Sequence, residues 1–218
     1  METKKLAQKD IIKYLGVSID KKLNFNQHIK EKCKKATTVL NMLRRNLHSA
    51  PMSVKNKAYK SCVQPLMEYA STCWAPTSNK LSNSLEMVHH NGAKFVANKY
   101  PKKNQYHNFS ITKVMHDLNW NSLEERRNQS RLVMTYKIIN DQLILNSSLM
   151  PRTVHSRPPR LCNEVIVGKS NQLAEPQARL DVSKSTFFYS APRIWNNVVT
   201  PLQANATSLD AFKHYFNK

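Results

Sequence analysis

Residues 11–20 read IIKYLGVSID and residues 26–47 read NQHIKEKCKKATTVLNMLRRNL, and the junction between these two stretches sets the fold. The first, rich in β-branched and aromatic residues, predicts one strand over 11–19. In the second, Ile29, Cys33, Ala36, Leu40, Leu43 and Leu47 recur at intervals of four and three, which places them on one face of a helix reaching about residue 48. Lys34, Lys35 and Arg45 fall on the far side, Lys30 and Arg44 on the flanks, with Glu31 the one acid nearby. Such a face suits phosphates; it is also what a solvated face looks like.

Working outward, 218 residues at 40% hydrophobic content can bury a real core, the content of one domain or one and a half. Lys and Arg number 34 against 14 Asp and Glu, a formal charge of +20. An excess of that size repels itself in the compact state and points to a polyanionic partner, nucleic acid first and an anionic membrane surface second. No run of about 18 apolar residues exists, so no membrane span and no membrane partner is expected. The charged start, Met1 to Lys5, has no apolar run behind it, so the expectation is an intracellular chain, nuclear or cytoplasmic and not secreted. The four Asn-x-Ser/Thr triplets, at Asn108, Asn128, Asn146 and Asn205, then carry no meaning. Cys33, Cys62, Cys73 and Cys162 are scattered and read as reduced core residues, Cys33 and Cys62 on buried helix faces. Only Gly16, Gly92 and Gly168 are glycine, which excludes a glycine-rich phosphate loop and most nucleotide-dependent enzymes with it.

Further along, residues 20–26 read as a turn. After Pro51, the set Val54, Ala58, Cys62, Pro65, Tyr69 and Cys73 predicts the inner face of a second helix, with Lys57 and Lys60 pointing away and Pro65 interrupting it. A third helix over 81–100 would bury Leu85, Val88, Phe95 and Val96, slightly weakened by Gly92. Residues 99–108 read as a loop, and Ser110 caps a short helix with Val114, Met115 and Leu118. Ser122 and Glu125 form a capping-box pattern that opens a long helix to about 145, with Leu132, Tyr136, Ile139 and Leu143 inward and Arg127, Arg131 and Lys137 outward. Residues 151–182 carry prolines and arginines without a helical period, so irregular backbone is expected, with a short strand at 165–167. Phe187, Phe188, Tyr189 and Trp195 mark a helix that docks back on the core, and Ser208 caps a last one with Leu209, Phe212 and Phe216 inward. The fold class is therefore mainly α, a helical bundle with an N-terminal strand remnant. That strand, lacking neighbours, leaves an edge that a partner chain could pair.

Sharper chemistry finds little support. His89-His90 are adjacent, about 100° apart on a helix, and read as surface residues rather than metal ligands. No Cys-x-x-Cys pattern supports a zinc site, and no nucleophile motif frames a serine. Glu124-Glu125 suit a helix's first turn. Tyr14, Trp74, Trp120 and Trp195 read as core anchors ahead of base-stacking platforms. What stands out is three successive helices with apolar stripes inward and cations outward, which makes Lys30, Lys34, Lys35, Arg44, Arg45, Lys57, Lys60, Arg127, Arg131 and Lys137 the candidate nucleic-acid-binding residues.

Lys13-Tyr14-Leu15-Gly16-Val17 with Asp20, followed by Leu23-Asn24-Phe25 and His28-Ile29, resembles the segment just after the catalytic palm motifs in reverse transcriptases of non-LTR retrotransposons, the jockey-like and other LINE-class mobile elements. The similarity continues through Leu43-Arg44-Arg45, Gln64-Pro65-Leu66 with Glu68-Tyr69-Ala70 and Trp74, Leu85-Glu86, Ala93-Lys94-Phe95-Val96, Leu118-Asn119-Trp120 and Leu123-Glu124, and on to Pro192-Arg193 with Trp195-Asn196. The resemblance implies a palm-end strand remnant at 1–24, a helical thumb-like domain at 25–150 and a C-terminal extension at 151–218. It implies the C-terminal part of an RNA-directed DNA polymerase, gripping an RNA and DNA template-primer duplex by its backbone, with a palm-containing chain as a possible partner. In that family an Asp-Asp pair upstream holds the metal ions. Here Asp10, Asp20, Asp117, Asp141, Asp181 and Asp210 stand singly, so Mg is expected only in the missing palm, with no cofactor, metal ligand or catalytic residue in this chain. The alternative is a non-catalytic helical scaffold descended from a decayed element. Either way, a primer-extension assay on the isolated chain is expected to show no incorporation above background.

Overall fold

The structure, a computed structural model, describes residues 9–76, 78–100, 109–143, 172–177 and 186–216. The fold is mainly α, as expected, with a two-stranded antiparallel sheet at its start. The chain divides into two compact units, one within residues 1–70 and 75–123, the other within 71–74 and 124–218.

In the first unit the expected single strand is a hairpin: β1 (Ile11–Tyr14) pairs with β2 (Val17–Asp20), Ile12 opposite Ile19 and Tyr14 opposite Val17. Leu15 and Gly16 both have positive φ, 45° and 79°, the two-residue turn whose twist matches that of the strands it joins. The strand thus finds a partner within its own segment. Tyr69 steadies the turn by donating its hydroxyl to the Leu15 carbonyl at 2.9 Å. Asp20 accepts from the Lys22 and Asn24 amides through Oδ1 and turns the chain towards α1 (Asn26–Asn46).

Helix α1 buries the stripe expected of it, with Ile29, Ala36, Leu40 and Leu43 inside, and packs on α2 (Met52–Cys62), α3 (Gln64–Glu68) and α4 (Asn79–Ala97). Pro65 does interrupt: α2 stops at Cys62 and α3 begins anew with the proline in its first turn, where its missing amide hydrogen costs nothing. The inner face of α2, however, is one residue out of phase with the expected one. Val54, Cys62, Pro65, Tyr69 and Cys73 are exposed, while Lys55, Tyr59 and Val63 are buried. The reason is area. Burying one tyrosine removes about 150–250 Å² from water, worth roughly 4–6 kcal/mol, more than the small side chains of the neighbouring row can offer. Lys55 follows Tyr59 inward and lies with Nζ 5.5 Å from the Phe95 ring.

Tyr59 is the centre of this unit. Its ring stacks on Trp120 at 4.5 Å, and Trp120 stacks in turn on His89 at 5.1 Å. The Tyr59 hydroxyl lies 2.7 Å from His89 Nδ1, and His89 Nε2 lies 3.1 Å from the Asn121 carbonyl. A carbonyl can only accept, so Nε2 carries the hydrogen and Nδ1 accepts from the tyrosine. Trp120 Nε1 donates to Asn56 Oδ1 at 3.2 Å. His89, expected at the surface, is therefore a satisfied core residue; Tyr14, expected as an anchor, is 65% exposed, whereas Trp74, Trp120 and Trp195 are buried. Helix α5 (Ile111–Asp117), capped by Ser110 Oγ on the Lys113 amide, supplies Val114 and Met115 to the core.

In the second unit α6 (Leu123–Ile139) ends six residues before the expected 145, where Asp141 turns to φ 52° and the Gln142 amide bonds back to the Lys137 carbonyl. Leu132 and Tyr136 point into a core completed by Leu173, by Trp195 of α7 (Phe187–Val198) and by Phe212 of α9 (Leu209–His214). The expected inward Ile139 is exposed and Ile138 is buried instead. The short α8 (Pro201–Ala204) carries a reciprocal cap, Thr200 with Gln203. Ser208 caps α9 as expected, on the Ala211 amide at 3.1 Å. Residues 165–167, where a strand was expected, lie outside the described residues, as do 101–108 of the expected loop and Cys162.

Gly92 of α4 faces Tyr59 so closely that an added Cβ would sit 2.2 Å from Cε2 of the ring. Gly92→Ala should gain about 1 kcal/mol of helix propensity and lose more to overpacking, which costs about 1–3 kcal/mol. With the ring tethered at its hydroxyl, the upper end applies and a lower urea midpoint is expected; a higher midpoint would show that the ring yields freely.

Candidate nucleic-acid interface

Along α1 the positions Lys30, Lys34, Asn41 and Arg45 recur at intervals of four, seven and four and are all exposed. At 1.5 Å per residue the row is about 22 Å long. Thr37 and Thr38 fill the gap between its cations and are exposed as well, so the row carries hydroxyl and amide donors besides charge. Charge counting passes over these three; the helical period that finds the lysines finds them too. Lys35 is exposed on the other flank, and on α2 so are Lys57 and Lys60. Among the described residues, the side chains of Lys30, Lys34, Lys35, Arg45, Lys57 and Lys60 enter no ion pair and no hydrogen bond.

The one acid on α1 does not serve them. Glu31 accepts from Gln27 Nε2 at 2.9 Å and from Ser18 Oγ at 3.1 Å, and these hydrogen bonds, Gln27's first, hold its carboxyl below the usual range. Beside it the buried His28 accepts the Ser18 amide through Nδ1 at 3.2 Å, fastening the hairpin to the helix. Burial lowers the His28 pKa, and the nearby Lys32 lowers it further.

The remaining candidates separate. Arg44 is half-buried and structural: Nη2 donates to the Asn91 carbonyl of α4 at 2.9 Å, Nη1 to Asn41 at 3.3 Å, and the guanidinium stands over Tyr100. Arg127 and Arg131, expected on the outer face of α6, are buried at 5% and 7% exposure. They belong to a second row, Leu123, Arg127, Arg131, Thr135 and Ile138, spaced by four and three and buried throughout. The helix thus has two covered flanks where one was expected. Burial, and then the neighbouring Arg127, pushes the Arg131 pKa down. Lys137 is half-buried. Arg127, Arg131 and Lys137 lie in the other unit, so the interface built here is that of α1 and α2 alone.

Cys62 and Cys73 are exposed and Cys33 half-buried, all free, which corrects the buried placing of Cys62. His90 is half-buried, and burial lowers its pKa. Among the described residues no three His, Cys, Asp or Glu side chains come together as a metal site, and no helix is long and apolar enough to cross a membrane.

Because the folded His28 binds its proton more weakly than an ordinary histidine at 6.5, its contribution to stability is complete above that pH and is lost as pH falls towards the folded value. Melting temperature should therefore drop between pH 7.5 and 5.5. His28→Gln, which keeps an acceptor for the Ser18 amide and does not titrate, should show a smaller drop, the remainder coming from His90; equal drops would exclude His28 as the cause.

Comparison with known proteins returns no match of this chain to a family model, a curated protein or a solved structure.

Proposed function

We propose that the chain binds nucleic acid through the sugar-phosphate backbone, as the thumb-like, non-catalytic C-terminal part of a non-LTR retrotransposon reverse transcriptase that holds the template-primer duplex. One observation carries the reading: six exposed cations on α1 and α2, Lys30, Lys34, Lys35, Arg45, Lys57 and Lys60, without an internal anion. Exposed charges left unpaired in a chain of net charge +20 raise its self-energy, and a polyanion relieves that by releasing its own counterions. The residues between the cations are threonines and an asparagine, the uncharged side chains that commonly contact phosphate and sugar. Sequence preference should be slight, since nothing in the row is aimed at base edges. The nucleotidyl-transfer chemistry belongs, on this reading, to an Asp-Asp pair on a palm segment outside these 218 residues.

The test is a gel-shift titration of an RNA–DNA duplex at several salt concentrations. With Lys34→Glu, Lys35→Glu and Arg45→Glu combined, affinity should fall at every salt, and the slope of log affinity against log salt should flatten by about two to three, close to 0.9 for each phosphate no longer neutralised. Unchanged affinity and slope would reject the reading in favour of the scaffold alternative.

A further inference from the structure

The second unit holds a groove of about 270 Å³ between α6 and the end of α9, lined by Arg126, Gln129, Ser130, Val133, Lys213 and Phe216. We propose that it is a separate binding site for one nucleotide, a phosphate joined to an aromatic base, whether free or as one residue of a single strand.

Its lining divides by chemistry. Arg126 and Lys213 put two cations at the groove, which selects an anion. Lys213 has Asp210 at 3.6 Å, beyond hydrogen-bond distance, and that carboxylate is 94% exposed, so the ammonium keeps donors for an incoming phosphate. Phe216 and Val133 supply the apolar part. The Phe216 ring meets Phe212 edge-on at 5.1 Å and remains half-buried, which leaves ring surface in the groove. Base on aromatic ring is the sequence-tolerant contact of single-strand binders. Gln129 donates through Nε2 to the Phe216 carbonyl at 3.1 Å, which fixes the amide in place and leaves Oε1 as an acceptor for an exocyclic amine. Ser130 donates to the Arg126 carbonyl and keeps its lone pairs. The volume lies just under the roughly 300 Å³ at which small-molecule pockets begin, room for one nucleotide and no more. A bare phosphate would use the cations and leave the aromatic floor idle.

The site shares no residue with the cationic row of α1 and stands or falls apart from it. The experiment titrates the full chain with AMP, with inorganic phosphate and with a single-stranded oligonucleotide, following amide chemical shifts. Wild-type chain should bind AMP saturably, with shifts at 126–133 and 213–216 and about tenfold more tightly than phosphate. Lys213→Glu should weaken AMP by about tenfold, and Ser130→Phe, which fills the groove at an exposed position, should abolish those shifts. Lys57→Glu, the same charge change in the other unit, should leave AMP binding unaltered. Phosphate binding as tightly as AMP, equal losses in Lys213→Glu and Lys57→Glu, or AMP shifts that survive Ser130→Phe would each overturn the proposal. Oligonucleotide binding lost only on reversing the α1 cations, with no shifts in the groove, would overturn it too while leaving the duplex-grip reading intact.

Discussion

Tyr59 inside the first unit is the constraint on which its other elements depend. Stacked on Trp120 and hydrogen-bonded to His89, it draws together α2, α4 and the turn that leads into α6. The contact is apolar in area and polar in direction, so it fixes position as well as stability. It also fixes composition elsewhere: α4 needs a glycine where the ring arrives, and α2 must carry Lys55 inward, since residues four apart share a face. The cationic row of α1 faces outward because that helix's other side is committed to α2, α3 and α4.

Much of this was legible in the sequence. The stripe of α1 was, because every third or fourth residue is apolar and the intervening ones are charged. The caps at Ser110 and Ser208 were, since a serine ahead of an apolar helix has one common use. The phase of α2 was not, because two adjacent rows of mixed character differ by one residue and only the partner Gly92 decides between them. The hairpin was hidden by Leu15, a residue that seldom takes positive φ; an asparagine there would have announced the turn.

The cations were read with uneven success, and the difference is physical. Lysines and Arg45 on a helix with a single apolar stripe fell outside it and are exposed. On α6 the same logic fails, because a helix covered on two flanks buries residues that a one-stripe reading assigns to solvent, and an arginine's long stem tolerates this. A positive charge in a sequence marks a surface only where one knows how many sides of its helix are covered. Such counting overstates a phosphate-facing surface by the guanidiniums that hold the fold together, here Arg44, Arg127 and Arg131.

Asn196 bears on the short stretch at 172–177. Its Oδ1 accepts the Leu173 amide and its Nδ2 donates to the Leu173 carbonyl, both at 2.9 Å, so that a side chain stands in for a neighbouring strand. A peptide edge read this way is recognised by its backbone alone. The flanking Gln172 and Ala174 can drift to other residues with little consequence, whereas position 196 has no substitute of the same reach: an aspartate would keep the acceptor and meet the carbonyl with a like dipole. A single amide side chain thus makes this stretch tolerant of mutation while making itself irreplaceable.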